Sequence, residues 1–111
     1  MVVNKGETLA TNEGVSFHFA YMLNGEQYAE GRADAFPGFL HLHARMYKTN
    51  KHTLREIRKD IEASMRPVVE EFGYPCFYVV TPHEKLLRNM TTLPYQKVGD
   101  YHSMEIFKVE V

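Results

Sequence analysis

Residues 39–80, FLHLHARMYKTNKHTLREIRKDIEASMRPVVEEFGYPCFYVV, constrain the fold more than any other stretch. Leu40, Leu42, Ala44 and Met46 alternate with His41, His43, Arg45 and Tyr47, the period-two pattern of a half-buried strand. Leu54, Ile57, Ile61, Met65, Val68 and Phe72 then recur at helical spacing and share one face. Arg55, Arg58, Lys59, Glu62, Glu70 and Glu71 fall mostly on the other. Thr53 and Glu56 have the S/T-x-x-E spacing of a capping box, so the helix is expected to open there. Pro67 should kink it, Gly73 suits a left-handed C′ residue, and Pro75 blocks continuation. Cys76 to Val80 is an unbroken apolar run, the mark of a strand covered on both faces. Strand, helix and strand together predict a right-handed parallel crossover.

The rest of the chain supplies an antiparallel meander before this unit and a helix and strand after it. Val15 to Leu23 alternates as a strand, and Asn24-Gly25 is a type I′ hairpin signal returning the chain as Glu26 to Ala35. Pro37-Gly38 makes the next turn. Residues 1–14 are weakly patterned, with an edge strand beginning at Val2-Val3 and a turn at Asn12-Glu13-Gly14 as the readable features. After Val80, Thr81 is expected to cap a second helix with Pro82 at its first position and Glu84 completing a box. Leu86, Leu87, Met90 and Leu93 form its apolar stripe, and Pro94 stops it. Met104 to Val111 reads as the closing strand. The expected fold is α/β, one domain over 1–111, in the order β-β-β-α-β-α-β.

Bulk properties exclude several classes of function. At 111 residues the chain holds one core. A formal charge of −1 offers no general attraction to nucleic acid or acidic membranes. The single cysteine, Cys76, has no internal disulfide partner and reads as a small buried hydrophobe. No apolar stretch reaches the ~20 residues of a membrane helix, and MVVNKGETLA lacks signal-peptide character, so a soluble, cytoplasmic protein is expected.

The element order and several local stretches resemble the GNAT family of acyl-CoA-dependent N-acyltransferases, over residues 15–111. Tyr47-Lys48 falls at the strand end where the family exposes backbone to the pantetheine arm. Glu71-Phe72-Gly73-Tyr74 is similar to the family's helix exit, and 82–88 (PHEKLLR) to the opening of its next helix. Leu93-Pro94-Tyr95 stands where L-G-F is usual, and 101–107 (YHSMEIF) resembles the final strand. The resemblance implies a GNAT-like mixed sheet truncated at its N-terminus. In style it is closest to small GNAT-like proteins of tailed phages, including those packaged in virions.

Three departures shape the functional expectation. The family's pyrophosphate loop is rich in glycine, which lets backbone N–H groups wrap phosphate oxygens. The matching stretch here, 51–58 (KHTLREIR), contains none, and Glu56 adds repulsion on the order of 1 to 4 kcal/mol against a phosphate. Met90 stands where a thiolate-protonating tyrosine is common, and the N-terminal elements that wall the acceptor site are mostly absent. The resemblance with these departures implies a protein-binding factor, virion-associated or host-directed, that has lost acetyl transfer and needs no cofactor. The alternative is an active acetyl-CoA-dependent N-acetyltransferase. There His43 would be the general base, backbone near Tyr47 and Lys48 would hold pantetheine, and Lys51 and Arg55 would meet the phosphates.

Further constellations have plain readings. His41-x-His43 places two imidazoles on one strand face, and His18 could lie across from them. A metal site needs three or four converging ligands, and no cysteine pair or His-Glu helix motif adds them, so sheet histidines without a metal are expected. Lys48, Lys51, His52, Arg55, Arg58 and Lys59 form a basic cluster read as a solvated helix face, and nucleic acid is not an expected partner. Tyrosines 21, 28, 47, 78, 95 and 101 suit a protein interface, including one between copies of the chain.

Overall fold

The computed structural model describes residues 1–9 and 14–111. Among these described residues, seven strands and two helices follow in the order β1 (Val2–Leu9), β2 (Val15–Leu23), β3 (Glu26–Phe36), β4 (Phe39–Met46), α1 (Lys51–Phe72), β5 (Phe77–Thr81), α2 (Glu84–Met90), β6 (Tyr95–Tyr101) and β7 (Met104–Val109). The strands form one sheet in the order β1-β2-β3-β4-β5-β7-β6. Every neighbouring pair is antiparallel except β4 and β5, which are parallel and meet at one pair, His41 with Tyr78.

Strand alternation sorts the sheet into a packed face and an uncovered one. Phe19 and Tyr21 of β2, Ala33 and Ala35 of β3, Leu40 and Leu42 of β4, Phe77 of β5, and Phe107 and Val109 of β7 join one core. Ile57, Ile61, Met65 and Val68 of α1 and Leu87 of α2 pack into that same cluster, so both helices cover the same face. Among the described residues no element covers the other face, which carries His18, Arg32, Asp34, His41, His43, Arg45 and Tyr78. Burying the apolar stripe of α1 against this sheet is what makes a helix of this length stable in water.

Local signals explain the turns. Asn24 and Gly25 both take positive φ (54° and 79°), as a type I′ turn requires. Gly73 ends α1 in the left-handed region (φ 69°), and Val69 O accepts from its N–H. The register of β2 and β3 shifts between Tyr21 and Met22, leaving Tyr28 unpaired on β3. Its ring turns into the core, and its hydroxyl donates to Asp60 Oδ2 at 2.6 Å. Asp60 also accepts from the Met1 amine at 3.0 Å, while Tyr21 and Ser64 share a buried hydroxyl pair at 2.9 Å. The α1 face is therefore apolar with a polar seam of Thr53, Asp60 and Ser64, each buried.

The expected GNAT-like order β-β-β-α-β-α-β is not the observed one. The chain forms β-β-β-β-α-β-α-β-β, a seven-stranded, mostly antiparallel sheet with two helices. The two strands beyond the expected order, β1 and β6, sit at the two sheet edges, and β1 begins at Val2, where an edge strand was expected. Both are mostly exposed and polar, so their order comes from backbone pairing with β2 and β7 rather than from an apolar period. Asn12 and Glu13 of the expected N-terminal turn lie outside the described residues.

Smaller expectations are also corrected. The capping box of α1 is Asn50 with Thr53, one turn earlier than Thr53 with Glu56. A side-chain oxygen at Asn50 is already in reach of the first-turn amides, so the helix begins at Lys51. The α2 helix starts at Glu84 with His83 as N-cap and no side-chain cap, because the Thr81 hydroxyl donates to His83 O instead. Strand β5 is covered on one face only: Phe77 and Thr81 are buried, whereas Tyr78 and Val80 are half-exposed on the open face. Cys76 is buried, as its apolar setting predicts. Pro67 lies within a helix that continues to Phe72. Among the described residues no helix is long and apolar enough to cross a membrane.

Candidate functional site

Past the His41–Tyr78 pair, β4 and β5 have no ladder between them. The divergence has a structural cause. Beyond His41, β4 stays in register with β3 through Met46, while β5 stays in register with β7 through Thr81. Each strand follows its own antiparallel partner, and the sheet twist carries them apart. The result is a cleft of about 450 Å³ between the strands, floored by the helices. Leu42, Met46, Leu54, Phe77, Val79 and Met90 supply most of its apolar wall. Thr49, Thr81, Asn89, Thr91 and, at the mouth, His43 are the polar side chains along it. Ala44, which would face the core in a closed sheet, is exposed here because the strand that should cover it has moved away.

The N-terminus of α1 adjoins the cleft but does not form an anion cradle. Asn50 Oδ1 accepts from His52 N–H at 2.9 Å and from Thr53 N–H at 3.0 Å. Asn50 N–H donates to Thr53 Oγ1 at 2.8 Å. Three of the first-turn donors that a phosphate would need are thus already engaged.

His43 lies at the cleft mouth and also faces the uncovered side of the sheet, where it joins a second cluster. Asp34 sits directly opposite His41 on β3, and Arg32 opposite His43. His43 Nε2 is 2.9 Å from Asp34 Oδ2, and the rings of His41 and His43 are 3.9 Å apart centre to centre. Ser16 on β2 donates to Asp34 Oδ1 at 2.6 Å, and Arg32 donates to both carboxylate oxygens at 3.1 and 3.3 Å. The donor atoms of Asp34, His41 and His43 lie within 4.8 Å of one another. Beside them a polar basin is lined by Lys5, Thr8, His18, Arg32, His43 and Arg45.

Burial and charge set the protonation of this cluster. Burial, with the neighbouring His43 adding to it, pushes His41 down to about 4. Burial and the Arg32 guanidinium also lower His43, opposed by the Asp34 carboxylate. Burial raises Asp34, but the Ser16 hydrogen bond and Arg32 outweigh it and hold the carboxyl below its ordinary value. At neutral pH the cluster is two neutral imidazoles beside one ionised carboxylate, and His43 is in the form a general base requires.

Of the candidate site residues His43, Tyr47, Lys48, Lys51 and Arg55, the cleft takes in His43 alone, and Met90 lines it as part of the apolar wall. Tyr47 follows the end of β4 and is exposed, with its ring 5.7 Å from Arg45. Lys48 points to Glu26 at 3.8 Å, and Lys51 and Arg55 are solvent-facing on α1. Met46, Thr49 and Leu54 are the residues of 46–55 that line the cleft. His18 lies across from His43 on the same sheet face, with β3 between them. It pairs with Arg32 on the far side of β3, and its Nε2 is 2.8 Å from Thr8 Oγ1. Asp34 is the residue that sequence reasoning missed. Its signal is the polar alternation Glu30, Arg32, Asp34, which marks one face of β3 as uncovered.

No protein-family model matches the chain, and no curated protein or solved structure is significantly similar to it. Function must be read from the site itself.

Proposed function

We propose that the protein is a non-catalytic binding factor that takes an extended polypeptide segment of a partner protein into the β4/β5 cleft. The carrying observation is the divergence of two strands after a single pair, which turns Leu42–Met46 and Val79–Thr81 into facing edges above an apolar floor. A peptide in strand conformation satisfies such edges with its own backbone and places alternate side chains into the pocket beneath. Leu42, Met46, Phe77 and Val79 favour aliphatic side chains there. The occupied amides of the α1 N-terminus fit a ligand that brings no phosphate.

Selection of a displayed library of random dodecamer peptides on the immobilised protein tests this reading. Enriched sequences should alternate aliphatic with polar residues and shift the amide resonances of 42–46 and 79–81. Ala44→Trp, which fills the cleft from an exposed position, should abolish their binding. Peptides that bind this variant equally well would refute the assignment.

One observation favours a second reading, acetyl-CoA-dependent N-acetylation: a neutral His43 backed by Asp34 stands at the cleft mouth. Calorimetry with acetyl-CoA separates the two. A ligand at 100 times its Kd stabilises a fold by about 2.7 kcal/mol. Saturable one-to-one binding with such a shift would replace the peptide reading, and no binding at millimolar concentration would retire the enzymatic one.

A further inference from the structure

We propose that Asp34, His41 and His43 bind a first-row divalent metal ion of the zinc or cobalt class on the uncovered face of the sheet. This goes beyond the cleft reading and does not depend on it. Asp34 and His41 are direct partners across β3 and β4, and His43 lies two residues further along the same strand face. A strand pair holds such side chains in fixed relation, which a loop does not, so three donor atoms stay within 4.8 Å of one another without cost in order.

The ligand chemistry selects the ion. Two imidazoles and one carboxylate suit zinc, cobalt, nickel or ferrous iron, whereas magnesium and calcium want oxygen alone. Three protein ligands on an uncovered face leave the remaining coordination positions to water. The carboxylate is also supported from behind. Ser16, itself buried, donates to Oδ1 at 2.6 Å and so fixes the carboxylate plane with Oδ2 turned towards His43. Support of this kind is what orients metal ligands in established sites.

The same geometry names the competitor. Oδ2 now accepts from Arg32 Nη2 at 3.3 Å and lies 2.9 Å from His43 Nε2. An ion entering the site replaces both contacts. The His43 ring then carries its proton on Nδ1 and offers Nε2 to the metal, and the half-exposed Arg32 side chain swings outward. Arg32 is therefore a gatekeeper whose removal strengthens binding.

Zinc calorimetry and the visible absorption of bound cobalt, both on the full chain, test the proposal. Expected is one saturable site per chain. His41→Ala or His43→Ala should weaken it at least about 100-fold, and Ser16→Ala about 10- to 100-fold. Arg32→Gln should tighten it several-fold. His18→Ala, close by in the basin, should leave it unchanged. Circular dichroism checks that each variant folds, and His41→Gln, which keeps a polar side chain of similar size, decides the matter if an alanine variant does not. No saturable binding at 1 mM zinc would overturn the proposal. So would binding that survives in the His41 and His43 variants, since that places the ion on other side chains.

Discussion

Gly31 sits where the core comes closest to the sheet backbone. A Cβ built there meets the Tyr21 hydroxyl oxygen at 2.3 Å, Cζ at 2.8 Å and Cε2 at 3.0 Å. Tyr21 is fully buried, stacks against Phe19 with ring centroids 6.4 Å apart, and is tied to Ser64 at 2.9 Å. The ring cannot withdraw without breaking that bond or pushing Ser64 and α1 off the sheet. Overpacking of this kind costs about 1–3 kcal/mol. Separating the two buried hydroxyls adds about 1–3 kcal/mol. The smaller entropy of an alanine-containing unfolded chain returns about 0.4–1 kcal/mol. Gly31→Ala should therefore destabilise the fold by about 2–4 kcal/mol, with an unchanged urea m-value. Urea unfolding followed by circular dichroism and tyrosine fluorescence measures this. Tyr21→Phe removes the nearest clashing atom, so the double variant should recover at least about 1 kcal/mol relative to the sum of the singles. A Gly31→Ala protein within about 0.5 kcal/mol of the parent, or a strictly additive cycle, would refute the close-approach argument.

Two further predictions concern buried and half-buried charge. Asp60→Ala strips the buried Tyr28 hydroxyl of its acceptor, while the Met1 amine it also releases is exposed to water, and should cost about 1–3 kcal/mol in the same urea assay. Retention of full stability would show that Asp60 is not the anchor of the α1 seam. For pH, His41 titrates near 4 in the folded protein against about 6.5 unfolded, so between these values the unfolded chain binds more protons and stability falls as pH falls. The lowered Asp34 works in the same direction at lower pH. Because His41 is only partly buried, its share is discounted to about 1–2 kcal/mol between pH 7 and pH 4. In chelator-containing buffer His41→Gln should flatten the stability profile over that window, and a profile identical to the parent's would contradict the shift.

What was legible in the sequence follows from periodicity and turn chemistry. The alternation of 40–47, the helical stripe from Ile57 to Val68 and the Asn24-Gly25 and Gly73 signals each depend on neighbours in the chain, so β4, α1 and their connections could be read directly. Edge strands carry no such period, because their outer face and outer edge meet water. Residues 95–101 (YQKVGDY) and, beyond the Val2-Val3 start that the sequence shows, 4–9 (NKGETL) thus became strands only when β7 and β2 offered them backbone partners. The α1 cap shows the same limit at short range: both Asn50 and Thr53 are cap-forming residues, and geometry chose Asn50.

The candidate sites divide along the same line. Sequence alone placed His41 and His43 on one strand face, since a two-residue spacing does so whatever the surroundings. It also determined that 51–58 lacks the glycines a phosphate cradle requires. The tertiary structure decided what those facts mean. Pairing of β3 with β4 brought Asp34 opposite His41, a contact set by register across a hairpin rather than by spacing along the chain. The separate loyalties of β4 to β3 and of β5 to β7 opened the cleft, and no local pattern records how two strands diverge. Local patterns report which way a side chain faces; only the packed sheet determines what stands in front of it.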